Sequence, residues 1–184
     1  MVTPEQRNHL RKQVMDFRRT KPMFILDFWN DGLHVRGCIA GGRRYFHINA
    51  NGDVEPCVYT HVAMHNIKDV SLAEVLDSPL FRAIRRKQPM NENQLRPCMI
   101  IDNPHIFRDA IEETKPYFTH KGAEEIVTQM REEIDSYAAR FVVLADKVWR
   151  EEDLNQPSVT TSCSSSSISQ TSSEIGISMS MKPN

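Results

Sequence analysis

Three cysteines stand far apart in this chain, each in turn-like sequence: Cys38 in Gly37-Cys38-Ile39-Ala40-Gly41-Gly42, Cys57 closing Gly52-Asp53-Val54-Glu55-Pro56-Cys57, and Cys98 in Arg96-Pro97-Cys98. Thiolate sulfur is the ligand that soft metal ions and iron–sulfur clusters take best, so thiols presented by separate loops point to one shared metal centre. The intervals of 18 and 40 residues match no compact zinc or ferredoxin pattern, and buried cysteines are often no more than small hydrophobes. Context favours ligation. Each cysteine adjoins glycine or proline, where ligands are presented, rather than a periodic apolar position, where core residues fall.

The elements that must position these thiols are written in local signals. Thr3-Pro4-Glu5-Gln6 combines an N-cap, proline in the first turn and a capping-box glutamine, and Leu10, Val14 and Phe17 recur at helical spacing, which predicts a helix over 4–19. The apolar run Met23–Trp29 then suits a buried strand. Asn51-Gly52 closes a hairpin between 44–48 and 54–59, which sets Tyr45 opposite Cys57, with Pro56 ending the second strand or placing it at an edge. Ser71-Leu72-Ala73-Glu74 and Ser78-Pro79 open two short helices, the second running through Arg86. Asn103-Pro104 opens another to about Glu113, and Asp102 is placed at its start rather than on a metal. Ile126, Met130, Ile134, Tyr137, Phe141, Leu144 and Val148 form a stripe that predicts a last helix over 123–152. Cys98 can reach the hairpin only if the helical pair before it packs over that hairpin.

Composition divides the chain of 184 residues. Residues 157–184 hold eleven serines and three threonines in 28 positions, too little apolar surface to offset ordering entropy, and are expected to be a disordered tail. Cys163 falls there, leaving an odd number of thiols in the globular part. A balance of 23 basic against 24 acidic residues gives no field to recruit nucleic acid or an anionic membrane. No run of apolar residues is long enough to span a bilayer, and the polar start has no apolar core of a secretory signal. A cytoplasmic protein with reduced thiols is expected.

The stretch Phe24–Pro104, through Cys38, Gly52-x-x-x-x-Cys57, Asn66-Ile67 before Ser71-Leu72-Ala73-Glu74, Phe81-x-x-x-Arg85 and Pro97-Cys98, resembles the SPASM/Twitch auxiliary-cluster region at the C-terminal end of radical S-adenosylmethionine enzymes. The resemblance implies an α+β fold: a small β-hairpin cluster-binding domain with several helices, preceded by the terminal helix–strand unit of a partial (β/α) barrel. It divides the chain into a barrel remnant over 1–30, the cluster domain over 31–115, a C-terminal helix over 116–156 and the tail. It also implies one auxiliary 4Fe-4S cluster on Cys38, Cys57 and Cys98, because no closely spaced cysteines follow Cys57 to hold a second. His61, and beside it His65, are candidates for the fourth iron position, which the family also leaves open to substrate. Arg43 and Arg44 follow the glycine loop and are read either as offsetting cluster charge or as solvated strand-edge arginines. Asp27, Asp31, His34 and Trp29 fall near the end of the expected barrel strand, with Trp29 expected in the core.

No Cys-x-x-x-Cys-x-x-Cys is present, so the chain resembles the C-terminal portion of such an enzyme and is not catalytically complete alone; S-adenosylmethionine belongs only to a complete parent. A radical S-adenosylmethionine barrel, in cis or in trans, is the expected partner, with a peptide or small-molecule substrate, and neither nucleic acid nor membrane. Two readings compete: a structural zinc site on the three cysteines and His61, and a metal-free interaction domain.

Overall fold

The computed structural model describes residues 1–152, so the serine-rich tail and Cys163 lie outside the described residues. The first helix, α1 (Pro4–Thr20), opens on the expected capping box: Thr3 Oγ1 accepts the Gln6 N–H at 3.2 Å and Gln6 Oε1 accepts the Thr3 N–H at 2.8 Å. Its buried residues are Pro4, Arg7 and Arg11, while Leu10 and Phe17 are about half exposed. Two carboxylates cause this inversion of the usual amphipathic rule. Arg7 meets Asp102, and Arg11 meets Glu152 at 2.7 Å, so the guanidinium groups enter the protein already paired.

The strand expected over Met23–Trp29 is not formed. The segment runs irregularly, with Phe24 89% exposed, and pairs with no strand among the described residues. An apolar run becomes a strand only where neighbours take up its peptide groups. Asp27 then turns the chain, its carbonyl accepting the N–H groups of Asn30 and Asp31, into the short α2 (Gly32–Val35). Trp29, expected in the core, is 37% exposed and stacks on Tyr59.

The hairpin forms with the anticipated register. β1 (His47–Ile48) pairs antiparallel with β2 (Val54–Glu55), His47 opposite Glu55 and Ile48 opposite Val54, and Pro56 ends the ladder. Extending that register sets Tyr45 beside Cys57. A second two-stranded sheet, not anticipated, pairs β3 (Val62–Ala63) with β4 (Tyr117–Phe118). Two short helices, α3 (Leu72–Leu76) and α4 (Pro79–Arg86), begin at Ser71 and Ser78, each hydroxyl accepting a first-turn N–H. The next, α5 (Pro104–Thr114), packs on α4.

The last helix starts later than the stripe suggested. Ala123–Ile126 is a 3-10 turn, Thr128 Oγ1 donates back to the Glu124 carbonyl at 2.9 Å, and α6 covers Arg131–Glu151. The β-branched pair Val127-Thr128 and that side-chain bond favour a turn over a continuous helix.

The result is an α+β fold with two buried clusters. One gathers Val54, Cys57, Val62, Leu80, Phe81, Ile84, Met99 and Phe107; the other gathers Leu95, Tyr137, Phe141, Ala145 and Val148. No helix among the described residues is long and apolar enough to cross a membrane.

Candidate metal centre

The glycine loop carrying Cys38 is pressed beneath α4. Gly41 and Gly42 have φ of +67° and +71°, and a Cβ on either would come within 2.6 Å of an Ile84 or Leu76 methyl carbon. Only glycine satisfies both the left-handed backbone and the close approach. Arg85 Nη1 donates to the Gly41 carbonyl at 3.1 Å, and the Gly41 N–H donates to the Pro56 carbonyl at 3.0 Å, which ties this loop to the residue before Cys57. The helical pair thus packs on the glycine loop, which is tied in turn to the end of the hairpin.

Cys57 follows β2 in a turn closed by Thr60, whose hydroxyl donates to the Cys57 carbonyl at 2.7 Å. Cys98 is held by the start of α5: Asp102 Oδ2 accepts the Cys98 N–H at 3.0 Å, and the Asn103 N–H donates to the Cys98 carbonyl at 3.0 Å. All three thiols are free and pack in or against the first buried cluster.

Backbone N–H groups face each sulfur. Those of Ala40 and Ile100 reach Cys38 and Cys98 Sγ at 3.5 and 3.4 Å, Met99 N–H also faces Cys38, and Tyr59 and Val58 N–H face Cys57. Burial is the largest influence on all three thiols and pushes each pKa up, that of Cys57 to about 11. The charge of a Cys38 thiolate adds to this, raising both Cys57 and Cys98. Arg43 opposes this: it bonds the Cys38 and Val35 carbonyls at 2.7 Å and favours the Cys38 thiolate.

Burial disfavours the thiolates, while the facing N–H groups and Arg43 favour them and bond more strongly to a negative sulfur. That donor set fits an iron–sulfur cluster, whose sulfurs take N–H hydrogen bonds and whose positive irons replace the thiol protons. Among the described residues no three His, Cys, Asp or Glu side chains converge closely enough to hold a single metal ion.

His61 packs against Glu55 and His120. It has φ of +50°, its ring lies edge-on to His120 with centroids 4.5 Å apart, and Nδ1 stands 3.9 Å from Glu55 Oε2. Burial lowers its pKa. Together with His120, Trp29 and Tyr59 it lines a cavity of about 340 Å³. His65 contributes its carbonyl to the Val54 N–H. Asp102 does not cap α5 by its side chain, as its position had suggested; it binds the Cys98 N–H and Arg7. Two neighbours of the thiols were not foreseen. Thr60 is the first, and the second is Gln88, whose buried amide faces Cys38 with no other partner.

Residues 38–100 match the family model of SPASM, an iron-sulfur cluster-binding domain. The match agrees with the resemblance carried by the cysteine contexts; it begins at Cys38 and contains Cys57 and Cys98 as well. No curated protein and no solved structure matches the chain.

Proposed function

We propose that the chain holds one auxiliary 4Fe-4S cluster on Cys38, Cys57 and Cys98 and works beside a radical S-adenosylmethionine barrel, in cis or in trans, in electron transfer or substrate binding. The observation that carries this reading is that three thiols from distant loops, all within the SPASM match, lie in or against one buried cluster, with N–H groups bonded to Cys38 and Cys98. When bound, such a cluster supplies one-electron transfer or an iron able to bind substrate. The residues of the chain exclude water from the thiolates, donate to them and place Arg43 against their charge. A cluster spreads its thiolates over several iron atoms, which suits sulfurs that do not meet at one point. The fourth iron position falls to His61 or to substrate.

The partner is supported by an exposed apolar face. Leu10, Phe17, Met23, Phe24 and Leu26 are each more than 45% exposed and lie along α1 and the unpaired segment after it. Monomeric proteins seldom leave so contiguous a group of large apolar side chains in water.

Anaerobic incubation with iron and sulfide tests the proposal. A brown chain with broad absorption near ~400 nm and about four irons supports it. Colourless protein with one zinc per chain supports instead a structural site, and identical folding with all three cysteines changed to serine supports a metal-free module.

A further inference from the structure

We infer that Arg7 and Asp102 are positioning residues for the Cys98 thiolate, so that α1 and α6, both outside the SPASM match, form part of the machinery that holds the cluster. The inference rests on the cluster reading above.

Asp102 has no exposed side-chain surface, and it does two things at once. Its Oδ2 accepts the Cys98 N–H at 3.0 Å and the Arg7 Nη2 at 3.1 Å, while its Oδ1 accepts Arg7 Nη1 at 2.5 Å. The carboxylate is therefore a rigid link between a ligand's own peptide group and a bidentate guanidinium. Arg7 is itself immobilised. Nη2 also donates to the Trp29 and Leu95 carbonyls at 2.7 and 3.3 Å, Nε donates to Asn30 Oδ1 at 3.3 Å, and the guanidinium carbon sits 3.9 Å above the centre of the Phe141 ring.

Five elements thus meet at one arginine: α1, the turn before α2, the loop before Cys98, the start of α5, and α6. A ligand-bearing turn of this kind has few side chains of its own to fix it, and Ile100 N–H must keep its place to reach Sγ at 3.4 Å. Removing the link strips the acceptor from the Cys98 N–H and leaves the turn held through the Cys98 carbonyl, by the Asp102 and Asn103 N–H groups and Asn103 Nδ2, while Cys38 and Cys57 keep the supports described above. Such a link acts through another residue rather than touching the cluster.

The test uses the full chain and four proteins: wild type, Asp102→Asn, the double change Arg7→Met with Asp102→Leu, and Arg11→Met. The double change removes both charges together, which keeps a folded protein available if the single change unfolds. Arg11→Met is the control, since it removes an equally buried arginine from the same helix whose partner is Glu152. Two readouts are made: the alkylation rate of Cys98 relative to Cys57 in the metal-free chain, by mass spectrometry, and the lifetime of the reconstituted cluster in a ferrous chelator. The link predicts that Asp102→Asn and the double change raise the Cys98-to-Cys57 ratio and shorten the lifetime by about tenfold each, with Arg11→Met changing neither. Unchanged ratios in both altered proteins, or an equal effect from Arg11→Met, overturn the inference. Failure of the wild type to take up iron and sulfide contradicts the cluster reading instead, and the alkylation ratio separates the two failures.

Discussion

Replacing Gly41 by alanine probes how firmly α4 presses the Cys38 loop toward Cys57. Two costs arise there. The residue sits at φ of +67°, where an alanine is disfavoured by roughly 1–2 kcal/mol, and its new Cβ would lie 2.6 Å from Ile84 Cγ2 in a fully buried side chain. Forcing a methyl group into packed surroundings costs about 1–3 kcal/mol, so Gly41→Ala is expected to destabilise the metal-free chain by about 2–5 kcal/mol. Gly122→Ala is the matched comparison. Its φ of +85° carries the same backbone penalty, but the nearest atom to a new Cβ is Glu125 Oε1 at an ordinary 3.5 Å. Urea unfolding of both variants, followed by circular dichroism, should give Gly122→Ala a loss of only about 1–2 kcal/mol. Gly41→Ala should in addition lower iron uptake, because the Gly41 N–H is bonded to the Pro56 carbonyl beside Cys57. If the two variants lose the same stability, α4 does not hold the loop as described.

Burial, followed by the bond from the Tyr117 hydroxyl to Asp53 Oδ1 at 2.7 Å, pushes the Tyr117 pKa up to about 12. A phenol whose proton is held more tightly in the folded state adds stability below its unfolded value of ~10 and loses it as pH rises further. Tyr117→Phe should therefore remove one late step from the tyrosinate absorbance titration and flatten part of the alkaline fall in stability; an unaltered titration would refute the assignment. Phe24→Asp should change the unfolding free energy by no more than about 0.5 kcal/mol, since Phe24 is 89% exposed, yet it should reduce binding of an apolar dye and of any barrel partner. A large loss of stability would show that Phe24 is packed in solution.

Local chemistry was legible in the sequence wherever a residue acts on its own neighbours. Thr3, Ser71 and Ser78 cap the helices they were expected to cap, and Asn51-Gly52 sets the register that leaves Tyr45 beside Cys57. What escaped depends on distant partners. The apolar run Met23–Trp29 carries the composition of a strand but finds no neighbouring strand among the described residues. The pairing of Val62-Ala63 with Tyr117-Phe118 spans more than fifty residues and involves two positions per strand, too few for an alternation to be visible. The burial of Arg7 and Arg11 could not be read from the sequence, because nothing local announces a carboxylate waiting at residue 102 or 152.

The site followed the same division. Glycine and proline beside the cysteines were readable as turns, and the structure adds the N–H groups that two of these turns aim at sulfur. The dual role of Asp102 was not readable, since half of it lies with an arginine 95 positions away. The placement of His61 against Glu55 and His120 was hidden for the same reason, as β4 and the turn after it bring His120 into place.

Iron and inorganic sulfide, counted per chain after anaerobic loading of wild type and of Cys38→Ser, Cys57→Ser and Cys98→Ser, reach the main claim most directly. About four of each in the wild type, with every single replacement losing the greater part, is the outcome expected of one centre shared by three thiolates. Equal loading in any one of the replaced proteins would contradict that sharing, and a wild type that binds no iron would contradict the cluster itself.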